Sequence, residues 1–155
     1  MNLLIVCLGN ICRSPMAEGI MRKKIIDKNL KIKVDSAGTA NYHVGEAPDL
    51  RAISTAMSYG VDISNLHGRQ FGVTDFDRFD RIYAMDASNY KNILSLARNE
   101  ADKNKIYYFL RDGKKGLDVP DPWFGEPEEF FPVFELLDKA VDRILEEIEE
   151  EENGY

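Results

Sequence analysis

LLIVCLGNICRSP, residues Leu3 to Pro15, runs from an apolar stretch straight into a loop that holds a glycine, both cysteines of the chain and an arginine. Leu3–Val6 reads as a buried strand. Ser14 reads as a helix N-cap and Pro15 as the first helical residue, because proline loses nothing where the backbone N–H is unpaired anyway. Strand, loop and helix N-terminus together make an anion site, since free N–H groups and the helix dipole point at the same place.

Working outward, apolar runs at Ile32–Val34, Arg81–Met85 and Ile106–Leu110 also read as buried parallel strands. Segments with helical spacing lie between and after them: Ala17, Ile20, Met21 and Lys24–Ile25; Ile53, Ala56 and Met57, with Gly60 as a stop; Tyr90, Ile93, Leu94 and Ala97. The strongest period is the last, Val133, Phe134, Leu137, Val141, Ile144, Leu145 and Ile148. Alternating strands and helices predict an α/β fold, a four-stranded parallel twisted sheet with helices on both faces. In such a sheet ligands bind beyond the carboxyl ends of the strands, which is where Cys7 falls.

The 155 residues suit one domain, residues 1–155, with an acidic tail over about 150–155 that reads as frayed. An apolar content of 44% with 30% charged residues is that of an ordinary globular protein. A net charge of −7 argues against nucleic-acid binding, which needs a basic face. No window is apolar enough to span a membrane, and the start MNLLIV lacks the basic flank of a signal peptide. Two cysteines make no secreted disulfide framework, so a cytoplasmic setting is expected, and a monomer is the default.

Zinc would need four ligands, and Cys7, Cys12, His43 and His67 match no common zinc spacing. The loop also lacks the Gly-Lys-Ser/Thr ending of a nucleotide-binding loop. No metal or cofactor is expected. A nucleophile fits better: a thiolate attacks, and a helix N-terminus beside Arg13 favours that form. Successive N–H groups from Leu8, Gly9, Asn10, Ile11, Cys12, Arg13 and Ser14 would form a nest for a tetrahedral oxyanion. Asn10 tolerates a left-handed turn and can brace the loop through its amide. Arg13 supplies a planar fork for two phosphate oxygens, and Ser14 can donate a hydrogen bond to Cys7.

Cys7 through Ser14, C-L-G-N-I-C-R-S, resembles the Cys-x5-Arg-Ser/Thr loop of the low-molecular-weight protein tyrosine phosphatases. SAGT (Ser36–Thr39), HVGEAPDLRA (His43–Ala52), DFDRFDRIYAMD (Asp75–Asp86) and VPDPW (Val119–Trp123) follow in the same order as in that family. The resemblance implies a phosphotyrosine phosphatase I-like fold and hydrolysis of phosphotyrosine in protein substrates through a phosphocysteine. It implies Cys7 as nucleophile, Arg13 as phosphate clamp and Asp121 as general acid. Pro120 and Pro122 stiffen the backbone around Asp121, which favours it over Asp118. The resemblance also implies a supporting network of Asn10, Ser36 and His67, and a redox role for Cys12, which otherwise reads as a small apolar support. Tyr42, Trp123 and Phe124 are the expected walls of an aryl pocket. The family usually has two tyrosines after Asp-Pro, so Trp123 and Phe124 remove two hydroxyls that are phosphorylated in some relatives. Arsenate reductases of this fold need a further cysteine that this chain lacks. Related arginine phosphatases tend to carry Thr where Ile11 stands, which favours an aryl phosphate. No function is assigned to Tyr155.

Overall fold

The computed structural model describes residues 1–154, and Tyr155 lies outside the described residues. β1 (Asn2–Cys7), β2 (Lys33–Gly38), β3 (Arg81–Ala84) and β4 (Ile106–Tyr108) form a parallel sheet in the order β2-β1-β3-β4. β1 is therefore flanked on both sides, which explains why Leu3, Leu4, Ile5 and Val6 are all fully buried and no polar alternation is seen.

Successive side chains of β1 point to opposite faces, and the core divides accordingly. Leu3, Ile5 and Cys7 join a cluster with Met16, Ile20 and Met21 of α1 (Arg13–Asp27), Ala52 and Ala56 of α2 (Leu50–Ser58), and Leu137, Val141, Ile144 and Leu145 of α6 (Phe130–Glu152). Leu4 and Val6 join the other cluster, with Phe76 of α3 (Asp75–Arg78), Ile93 of α4 (Ala87–Ser95) and Phe71. A one-turn helix, α5 (Glu100–Lys103), precedes β4. The four-stranded parallel sheet covered on both faces is the architecture that the apolar runs predict.

Several local expectations need correction. β2 runs on to Gly38, past the apolar run that marked it. The run Ile106–Leu110 is not one strand: β4 stops at Tyr108, and Leu110 opens an antiparallel hairpin of β5 (Leu110–Asp112) and β6 (Lys115–Leu117). Gly113-Lys114 makes the turn, with Gly113 at φ 58°, a left-handed conformation suited to glycine. On α2 the buried face is Ala52, Thr55 and Ala56, with Met57 half exposed. α6 runs to Glu152, so Glu150, Glu151 and Glu152 form an exposed helix end.

Ile93 is fully buried while its neighbour Leu94 is 37% exposed. Ile93→Ala is therefore expected to lower unfolding free energy by about 2–5 kcal/mol in urea titrations. Leu94→Ala should cost about 1 kcal/mol or less, and equal losses would contradict this placement of α4.

Candidate active site

Cys7 is the last residue of β1, and its sulfur is met by two groups from the loop that follows. The Asn10 N–H donates to Cys7 Sγ at 3.3 Å, and Ser14 Oγ lies 3.0 Å from the same sulfur. Asn10 holds φ at 57°, and this left-handed turn folds the loop back over the cysteine. Its side-chain orientation is set by what surrounds it: Oδ1 accepts from the Arg69 N–H at 3.0 Å, so Nδ2 donates to Ser14 Oγ at 2.8 Å and Ser36 Oγ at 2.9 Å. With its oxygen accepting from Asn10, the Ser14 hydroxyl can direct its proton at the sulfur. Ser36 in turn donates to Glu18 Oε1 at 2.6 Å. Glu18 is buried, which pushes its carboxyl up from the ordinary range against the pull of Ser36 and Arg22.

Beyond Asn10, the N–H groups of Gly9, Ile11, Cys12 and Arg13 make no protein hydrogen bond among the described residues. The end of β2 presses on this loop from one side. A Cβ on Gly38 would lie 2.7 Å from the Leu8 carbonyl oxygen, so only glycine allows the approach.

Arg13 opens α1 and is 2% exposed. Its Nη1 donates to Asp86 Oδ2 at 2.7 Å and to the Val119 carbonyl at 3.0 Å, while Nη2 lies 3.6 Å from Asp121 Oδ2. Burial alone opposes its charge, yet Cys7, Asp86 and Asp121 outweigh that and hold the guanidinium protonated. Asp86 has two tasks at once, because its other oxygen accepts from the Asn89 N–H at 2.8 Å and caps α4. Val119 is itself pinned to the end of β3, its N–H donating to the Met85 carbonyl at 2.8 Å.

Cys7, Leu8, Gly9, Ile11, Cys12, Arg13, Tyr42, His43, Asp121, Trp123 and Phe124 line one cavity of about 220 Å³. The sulfur, guanidinium and Asp121 carboxylate thus share a concave space, with aromatic side chains around its mouth. Tyr42 and Phe124 are largely exposed, and the Trp123 and Phe124 rings meet edge to face at 4.9 Å. Among the described residues no cluster of three or more His, Cys, Asp or Glu side chains is arranged to hold a metal ion.

The chain matches the family model described as low molecular weight phosphotyrosine protein phosphatase over residues 2–153. This chain belongs to that family. It is similar to the low molecular weight phosphotyrosine protein phosphatases of Saccharomyces cerevisiae (40% identical, covering 83% of each chain) and Homo sapiens (37%, covering 94% of each). Among solved structures, the protein tyrosine phosphatase of Entamoeba histolytica with Hepes in its active site superposes with a TM-score of 0.90. The two are 38% identical, over 98% of this chain and 99% of that one. The protein is accordingly a low-molecular-weight protein tyrosine phosphatase, a hydrolase of phosphoproteins.

For this family member the structure brings together Cys7, the loop from Leu8 to Ser14, Asp121, Tyr42, Trp123 and Phe124. Asp118 is elsewhere occupied, its Oδ1 accepting from the Ala87 N–H at 2.9 Å. Two expectations fail. His67 is exposed and takes no part in the network, where Glu18 and the Arg69 backbone partner Ser36 and Asn10 instead. Ser14 is not an N-cap, because the helix begins at Arg13 and the hydroxyl is committed to Cys7 and Asn10. Asp86 is a further residue of the site, and its signal in the sequence is an aspartate directly after an apolar strand, at the ligand end of a parallel sheet. His43, a histidine that matches no zinc spacing, bonds Glu46 through Nδ1 and lies in the cavity wall.

Burial pushes the Cys12 thiol up, with Asp49 and Cys7 adding to the effect, so the thiolate is disfavoured across neutral pH. Iodoacetamide between pH 6 and 8 should therefore label Cys7 first and Cys12 only slowly. Peptide mass spectrometry showing Cys12 labelled ahead of Cys7 would contradict this.

Proposed function

We propose that this phosphatase hydrolyses aryl phosphate monoesters by double displacement, with Cys7 as nucleophile, Arg13 as clamp and Asp121 as proton donor and then acceptor. The observation that carries the reading is the convergence on one cavity of the Cys7 sulfur, the Arg13 guanidinium and the Asp121 carboxylate. The loop N–H groups of Gly9, Ile11, Cys12 and Arg13, which lack protein partners, suit the equatorial oxygens of a phosphoryl group. Arg13 Nη1 is held by Asp86 and Val119, which leaves Nε and Nη2 as the bidentate edge.

In the first step Cys7 Sγ attacks phosphorus in line, the S–P bond forms and the P–O bond to the ring breaks. Asp121 gives its proton to the departing phenolate, which is otherwise a poor leaving group. In the second step water attacks the phosphocysteine, Asp121 takes a proton from it, and the S–P bond breaks to release inorganic phosphate. Ser14 and the Asn10 N–H stabilise Cys7 as thiolate before the first step and as leaving group in the second. The aromatic side chains Tyr42, Trp123 and Phe124 suit the flat faces of a tyrosine ring, and Ile11 offers an apolar wall. This reading carries with it tyrosine-phosphorylated proteins as substrates and a monomer acting in the cytoplasm, where Cys7 and Cys12, both free, stay reduced.

Cys7→Ser should abolish release of phenol from aryl phosphates, and wild type should show a burst followed by steady turnover. Tight phosphate binding by wild type without phenol release would refute the enzymatic reading. Asp121→Ala should slow esters of poor leaving groups by roughly a hundredfold or more, and esters of acidic phenols much less. Parallel assays on phosphotyrosine, phosphoserine and phosphoarginine peptides should show turnover of the first, and preference for either other peptide would overturn the substrate assignment.

A further inference from the structure

The loop that carries Asp121 is pinned on its N-terminal side at Val119, but the stretch beyond Asp121 has little burial to hold it. Pro122 is buried, but Trp123 and Phe124 are 44% and 82% exposed. Its local bonds, Asp121 Oδ1 accepting from the Trp123 N–H at 3.1 Å and the Gly125 N–H donating to the Pro122 carbonyl at 3.0 Å, shape the turn without tying it to anything else. The tie comes from α2. Arg51 Nη1 donates to the Gly125 carbonyl at 3.0 Å and Nη2 to the Trp123 carbonyl at 3.1 Å.

Arg51 is itself held on two further sides. Its Nε and Nη2 meet Asp49 Oδ1 and Oδ2 at 3.0 and 2.9 Å, a two-point grip. Its guanidinium sits 4.7 Å from the centroid of Phe130, the fully buried first residue of α6. Asp49 caps α2 by accepting from the Arg51 N–H at 2.8 Å, and its own N–H donates to the Ile11 carbonyl at 2.8 Å. A continuous path of bonds therefore runs from the phosphate loop at Ile11, through Asp49 and Arg51, to the two carbonyls beyond Asp121.

We infer that Arg51 is a positioning residue, which fixes the loop of Asp121 at the right distance from the loop of Cys7. This rests on the reading of Asp121 as the general acid. Arg51 is not among the residues lining the cavity, so it acts through the acid loop and not on the substrate. An ordinary exposed ion pair would contribute little. This pair differs because the grip is two-pointed, the guanidinium is stacked, and its remaining donors bridge separate segments. Arg51 also holds the Asp49 carboxyl below the usual carboxylate range, so the pair persists through neutral and mildly acidic pH.

The test compares Arg51→Ala, Arg51→Met, Asp121→Ala and the Arg51→Ala/Asp121→Ala double variant on phenyl phosphate and p-nitrophenyl phosphate, with inorganic phosphate as competitive inhibitor. Arg51→Met keeps a stem to lie on Phe130 while removing every donor, and it carries the test if the alanine variant does not fold. Loss of Arg51 should lower kcat for phenyl phosphate by about ten- to a hundredfold, the scale of a small misplacement of a catalytic group. The loss should be smaller for p-nitrophenyl phosphate, and phosphate inhibition should be unchanged. The double variant should be no slower than Asp121→Ala alone, because the two losses share one origin. Equal losses on both esters, multiplied losses in the double variant, or weakened phosphate inhibition would each overturn the inference. Failure of Asp121→Ala itself to discriminate the esters would refute the acid assignment. A selective loss there with none at Arg51 would refute the role of Arg51 alone.

Discussion

The site depends on a guanidinium kept almost wholly out of water. A buried charge is tolerated only when groups of opposite sign and well-placed acceptors surround it, and removing one partner is strongly destabilising. Arg13 meets that demand by drawing Asp86 from the end of β3, the Val119 carbonyl from the segment after β6, and Asp121 to 3.6 Å. Segments far apart in the chain therefore converge because one charge at the start of α1 requires them. The same demand orients the side chain, since Asp86 and Val119 occupy Nη1 and the opposite edge is left toward the cavity.

The sheet supplies the ground for that convergence. With β1 between β2 and β3, the strand carrying Cys7 has a neighbour on each side, and both contribute at their carboxyl ends. β2 ends in Gly38 against the back of the phosphate loop, and β3 is followed at once by Met85, which pins Val119, and Asp86. Strand order thus decides which loops can cooperate, as expected where a parallel sheet changes winding direction.

What could be read from the sequence was local or strictly periodic. The strand, loop and helix at Leu3–Pro15 and the apolar period of α6 need only neighbouring residues to be recognised. Misreadings arose where a side chain answers to a distant partner. Ser14 has the residue type of an N-cap, but Asn10 and the Cys7 sulfur claim its hydroxyl. His67 carries the right chemistry for the loop network, yet it stands in solvent while Glu18, from inside α1, reaches Ser36. Nothing in the spacing of Glu18 announces a buried carboxylate, because it depends on how α1 lies against β2. The hairpin after Tyr108 is hidden for another reason: the apolar run continues through the break, and only Gly113 marks the turn.

α6, the last helix, buries Leu137, Val141, Ile144 and Leu145 in the same cluster as Met16, Ile20 and Met21 of α1, directly behind the turn that begins at Arg13. No residue of α6 lines the cavity, yet its apolar face fills the core behind the loop of Cys7. A change of shape on that face can therefore reach the nucleophile through packed side chains, with no contact to the substrate.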